Sequence, residues 1–222
     1  MVRLPRRLRR LSGGALGAVA LGAVVAACGP SASPAIEGSL PVPFNVSDYF
    51  APTGYEGDGA DVEDVTLVTM VNDACPTRSP TPAGDCYSVV YQDGAVDATQ
   101  GFAAVLWQYP NNNFGEYPGH TVQPGATVVT GWVRGAAGGE QVAFQVGGTS
   151  DPSLPYQDSI SVTSSPMTLT TDWQPFSISL PASYGEVLSA FGWVVKAPVP
   201  GSTGSATPPP IAFYLDGIQW QT

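Results

Sequence analysis

Between Trp107 and Tyr117, the aromatic residues Trp107, Tyr109, Phe114 and Tyr117 surround the amides of Asn111, Asn112 and Asn113 and the carboxylate of Glu116. Flat rings stack on the apolar C–H face of a pyranose, and amides and carboxylates exchange hydrogen bonds with its hydroxyls. This segment therefore has the side chains of a carbohydrate platform. Trp107 also reads as core, because Ala103, Val105 and Trp107 alternate onto one face of a strand pattern. Two or three exposed rings at about 1 kcal/mol each imply micromolar to millimolar affinity.

A catalytic constellation is harder to find. The single histidine, His120, lies in a Gly/Pro loop without a paired base. Glycosidase chemistry needs two carboxylates about 5 to 9.5 Å apart, and the eighteen acids offer many pairs among which sequence selects none. The expectation is a non-catalytic module that binds a neutral glycan or polysaccharide. Two alternatives stay open. An envelope protein with a structural or protein-recognition role would show an apolar surface patch. A polysaccharide hydrolase or lyase would show a cleft with paired carboxylates of perturbed pKa.

Two further groups of residues suggest structural chemistry. Glu56, Asp58, Asp61, Glu63 and Asp64 crowd into nine positions, a density that suits calcium with its six to eight oxygen ligands, although the spacing matches no EF-hand loop and a solvated acidic loop reads equally well. Cys75 and Cys86 enclose the loop PTRSPTPAGD between apolar runs. In an exported chain such a pair predicts a disulfide, contributing on the order of 3 kcal/mol by closing a short loop.

Export is predicted by the N-terminus. MVRLPRRLRR carries five arginines and no acid, and an uncharged run from Leu11 to Ala27 follows directly. Basic residues before a short apolar stretch make a secretory signal, and the stretch is too short and too rich in Gly and Ala for a permanent span. The signal ends in Val25-Ala26-Ala27-Cys28-Gly29, which resembles a bacterial lipobox, with Val25 where Leu is usual. That resemblance implies cleavage before Cys28, acylation of its thiol, and contact with a bacterial cell membrane or outer membrane through the lipid anchor only. The expected organisation is a signal peptide over 1–27, a Pro-rich tether over 28–43 and one domain over 44–222.

Charge narrows the partners. Five of the eight basic residues leave with the signal, so the mature chain has three cations, Arg78, Arg134 and Lys196, against eighteen acids, a net charge of −15. Three scattered cations cannot neutralise a run of phosphates, which excludes nucleic acid, and the same field repels other polyanions.

These groups must be positioned by strands. Short runs rich in Val, Ile, Thr and aromatics, separated by Gly, Pro, Asn and Asp, predict strands over 65–71, 86–92, 102–109, 126–135, 140–148, 158–163, 173–180, 189–197 and 210–220. In one of them Val142, Phe144 and Val146 share a face, as a half-buried strand requires. Trp132, Trp173 and Trp193 fall within strand patterns and are expected in the core, whereas Tyr55 and Tyr156 lie among turn residues and suit a ligand platform. The fold class is all-β, a sandwich of two antiparallel sheets.

The order GATVVTGWVRGAAGGEQVAFQVGG, LTTDWQPFSISL, FGWVVKA and IAFYLDGIQW resembles the galactose-binding-like jelly-roll modules, many of which are carbohydrate-binding modules of secreted enzymes. The resemblance implies a jelly roll. It also implies a structural calcium ion held by an early carboxylate, here Asp48 or Glu37, and by the last strand's Asp, here Asp216. Gly217 stands where the family often has a second Asp.

Overall fold

The computed structural model describes residues 38–57, 68–78, 85–92, 101–196 and 209–222. In chain order its strands are β1 (Phe44–Asn45), β2 (Ala51–Gly57), β3 (Val68–Asn72), β4 (Cys86–Tyr91), β5 (Phe102–Gln108), β6 (His120–Thr121), β7 (Val128–Gly135), β8 (Gln141–Gly147), β9 (Ser161–Thr163), β10 (Met167–Thr168), β11 (Gln174–Ser179), β12 (Glu186–Val187), β13 (Ser189–Lys196) and β14 (Ile211–Gln221). One sheet runs β11-β7-β14-β4-β3, with β1 also on β14. The other runs β10-β8-β13-β5-β2, with β9 also on β8. All strand pairs in both sheets are antiparallel. From β7 onward the long strands pass from sheet to sheet in turn, which makes the jelly roll.

The alternation of residue types along each strand explains this layering. In β4 and β7 every second residue is buried, and Val142, Phe144 and Val146 of β8 all point into the core. Between the sheets the rings of Trp107, Phe191, Phe144 and Phe176 meet in sequence, at centroid separations of 5.1, 5.9 and 4.1 Å. The central strands β5 and β13 are buried on both faces. On the face opposite Ala103, Val105 and Trp107, the side chains of Leu106 and Gln108 lie over glycines of neighbouring strands, Gly192 and Gly54, where a Cβ would collide with them.

Five strands had no sequence signal. Four of them are two residues long, and β2 carries Pro52 and Gly54, which an edge strand with a register shift accommodates. Tyr55 consequently sits on a strand, half-buried against the core, and does not form the turn-borne platform expected of it. Trp193 is a core residue as expected, but Trp132 is not: Val129, Gly131 and Val133 are the inward residues of β7, and Trp132 faces outward, half-buried. The predicted strand over 158–163 begins only at Ser161, because Asp158 is engaged by backbone amides. Cys75 and Cys86 are joined, with Cα atoms 6.0 Å apart. The signal segment, Cys28, Glu37 and the acids from Asp58 to Asp64 lie outside the described residues.

Candidate functional site

Strand β5 ends at Gln108, and Tyr109 is the first residue beyond it, tied by its N–H to the carbonyl of Leu188 at 2.9 Å. The chain then runs through residues 110–119 to reach β6. Asn113 holds this loop together. Its amide nitrogen donates to the carbonyls of Tyr109 (3.0 Å) and Tyr117 (2.8 Å), and its oxygen accepts from the N–H groups of Gly115 and Tyr117, both at 3.1 Å. A primary amide has two donors and two acceptor sites, and all four are used here. Asn113 is fully buried, so the structure makes it the internal clamp of the loop and removes it from the expected glycan-binding set.

Trp107 leaves that set too. It is fully buried, with Tyr87 and Phe191 meeting it edge-on at 5.1 Å each, so no sugar can stack on it. Other residues of the segment reach the surface. Asn111, Asn112, Glu116 and Tyr117 are exposed. Asn112 has a left-handed φ of 56°, a conformation Asn tolerates, and its N–H donates to Thr53 Oγ1 at 3.0 Å. One carboxylate oxygen of Glu116 accepts the Phe114 N–H at 3.1 Å. Tyr109 is 37% exposed and Tyr117 62% exposed.

His120 provides the backing for Tyr109. The two rings stack 3.7 Å apart at an interplanar angle of 18°, and Phe50 meets the imidazole edge-on at 5.3 Å. Burial lowers the His120 pKa, which favours the neutral ring at pH 7 and fits its packing role. Nothing in the sequence pointed to this contact, because it crosses a loop of ten residues without periodicity. The loop is supported from behind by a second one: Tyr156 donates its N–H to the carbonyl of Gly115 at 3.1 Å, so Tyr156 braces the site through its backbone.

Neither of the sequence comparisons found a relative: no protein-family model and no curated protein matches this chain. Solved structures do. A family 30 carbohydrate-binding module is similar over 68% of this chain and 72% of its own, with 14% identity and a TM-score of 0.43. A family 11 carbohydrate-binding module from Clostridium thermocellum, in complex with a β-1,3-1,4-mixed-linked tetrasaccharide, is similar over 69% and 82%, with 10% identity and a TM-score of 0.42. A module from Clostridium stercorarium in complex with cellobiose is similar over 84% and 100%, with 9% identity and a TM-score of 0.32.

The described carboxylates expected to hold calcium have other partners. Asp216 is buried and its Oδ2 accepts Arg78 Nε at 2.9 Å, so a cation already sits against it. Asp48 instead accepts from the Asn45 amide at 3.1 Å, beside β14 at Gln219, three residues along from Asp216. Among the described residues no three His, Cys, Asp or Glu side chains are grouped to hold a metal ion. A cavity of about 410 Å³ lined by Gln141, Ala143, Val194 and Lys196 lies at the opposite end of β13 from the tyrosine loop and contains none of the residues expected to bind glycan or calcium.

Asp158 joins the supporting loop to β13. Its Oδ1 accepts the N–H groups of Leu188 (2.6 Å) and Ser189 (3.1 Å), and its Oδ2 accepts that of Thr149 (3.0 Å). Burial outweighs these bonds and pushes the carboxyl from its ordinary 3.8 up to about 6. A folded pKa above the unfolded one means the folded state binds the proton more tightly. This group's contribution to stability is therefore full below about pH 4, is lost as pH rises through about 6, and totals on the order of 3 kcal/mol. The difference in thermal midpoint between the protein and its Asp158→Asn variant, followed from pH 4 to pH 7, should show this slope. Parallel curves would refute it.

Proposed function

We propose that this chain is an exported, lipid-anchored and non-catalytic module that binds neutral carbohydrate through Tyr109 and Tyr117, with Asn111, Asn112 and Glu116 bonding hydroxyls. The observation that carries this reading is the Asn113 clamp, which fixes the backbone on either side of two exposed tyrosine rings. Rings held in place before binding lose little freedom when a sugar stacks on them, which is how weak stacking becomes useful affinity. Tyr109 is further fixed by the His120 ring behind it. A net charge of −15 in the mature chain favours uncharged polymers over polyanions. The anchor at Cys28 belongs to the same proposal, with the lipobox-like Val25-Ala26-Ala27-Cys28 as its support.

Affinity electrophoresis in gels containing neutral polysaccharides tests the reading. The protein should be retarded by at least one polymer. Tyr117→Ala and Tyr109→Ala should each weaken binding about 5- to 10-fold, as expected for losing one stacking ring, and the double variant should migrate freely. Tyr117→Ala should leave the thermal midpoint unchanged. Absence of retardation by every polymer, or full retardation of the double variant, would sink the proposal.

A further inference from the structure

On the outer face of the β11-β7-β14-β4-β3 sheet, Cys86, Asp216 and Trp132 lie in one row across β4, β14 and β7. A strap of chain, residues 73–78, crosses this row. Its root is tied to β4 by the Asp73 N–H on the Cys86 carbonyl (2.7 Å) and by the Cys75–Cys86 disulfide. Its far end carries Arg78, whose guanidinium carbon lies 4.4 Å from the centre of the Trp132 ring while Nε donates to Asp216 Oδ2 at 2.9 Å. The Arg78 and Asp216 side chains are only 6% and 3% exposed. Asp216 Oδ1 is buried and has no hydrogen-bond partner among the described residues.

We propose that Trp132 and Asp216 form a guanidinium-binding site which the disulfide-anchored strap keeps closed with its own Arg78. An indole face and a carboxylate at its edge are the two groups a planar guanidinium prefers, one for stacking and one for paired N–H bonds. Arg78 meets them incompletely: it reaches the carboxylate through Nε alone and leaves Oδ1 without a donor, because its backbone is fixed three residues from Cys75. A free alkylguanidinium or the arginine side chain of a partner can approach Asp216 end-on and bond both oxygens. The chain's negative field draws such cations in. Opening the disulfide releases the strap: a dithiol passes two electrons and two protons to Cys75 and Cys86, which become thiols, and is itself oxidised to its disulfide.

Thermal-shift titration of the full chain tests this with methylguanidinium and, separately, a short arginine-containing peptide. Oxidised Arg78→Ala should show a saturable rise in midpoint with half-saturation in the millimolar range, and the rise should vanish when Asp216→Asn or Trp132→Leu is added. Tighter binding of the peptide identifies a protein side chain as the occupant, and equal binding a small guanidinium. Wild type reduced by dithiothreitol should bind the same probes at least 10-fold more tightly than the oxidised form, which provides the test if Arg78→Ala does not fold. A response that does not saturate, or that survives loss of Asp216 and Trp132, overturns the site. Equal binding by reduced and oxidised wild type overturns the latch.

Discussion

Replacing Trp107 with alanine is expected to destabilise the protein by about 3–5 kcal/mol, the range for deleting a fully buried large aromatic. Trp107 is the hinge of the ring series between the sheets, in edge contact with Tyr87 on one side and Phe191 on the other. On β5 it also pairs in register with Pro52 and Phe191 of the flanking strands. Its removal leaves a cavity that three strands would have to collapse around, and central strands held on both edges cannot move far. Trp107→Phe keeps most of the contact area and should cost less than half as much. Urea denaturation of the two variants measures the difference. A stable Trp107→Ala that had lost only glycan binding would return this residue to the surface.

How far the fold was legible depended on what each strand shows to a reader of one dimension. Alternation marks the buried residues of β8 correctly, since Val142, Phe144 and Val146 are large and all inward. In β7 the same alternation misleads. Its inward positions include Gly131, which is small because the Phe176 ring of β11 fills the space a side chain there would need. The outward positions include Trp132, which is large because Arg78 covers it. Periodicity reports that two faces exist but not which one is inside when a neighbouring strand supplies the bulk. The strand β2 was hidden for a related reason, because Pro52 and Gly54 are acceptable only at an edge, and edge position is a property of the sheet.

The candidate site shows the same limit. The segment from Trp107 to Tyr117 was singled out by its composition, but a run of three asparagines does not say which one is inside. Asn113 is, and its neighbours are not. Asp216 was expected to face a calcium ion, and the cation beside it is a guanidinium instead. The counter-cation is a side chain 138 residues away, inside the loop that the two cysteines enclose. That Arg78 is one of only three Lys or Arg residues beyond position 27 was the available signal.

The second large effect is expected at Asn113. Asn113→Ala removes four hydrogen bonds and leaves the carbonyls of Tyr109 and Tyr117 and the amides of Gly115 and Tyr117 to find other partners in a partly buried loop. At roughly 1 kcal/mol for each net bond, and more for any group left dry, the loss is about 3–4 kcal/mol. It is concentrated in the loop, because the sheets on either side keep their own ladders. Asn113→Asp should do no better. A carboxylate still accepts from the two amides but repels both carbonyls, which were bonded by the side-chain nitrogen. Asn111→Ala, by contrast, should lie within about 0.5 kcal/mol of wild type, as an exposed position does. Hydrogen exchange separates a local from a global effect. In Asn113→Ala the amides of Gly115 and Tyr117 should exchange at least 10-fold faster, while those of β8 and β13 keep their protection. Carbohydrate affinity, where wild type shows it, should fall with the clamp even though both tyrosines remain. Unchanged exchange at Gly115 and Tyr117 would show that the loop holds its shape without Asn113 and that the two rings are not prepositioned by it.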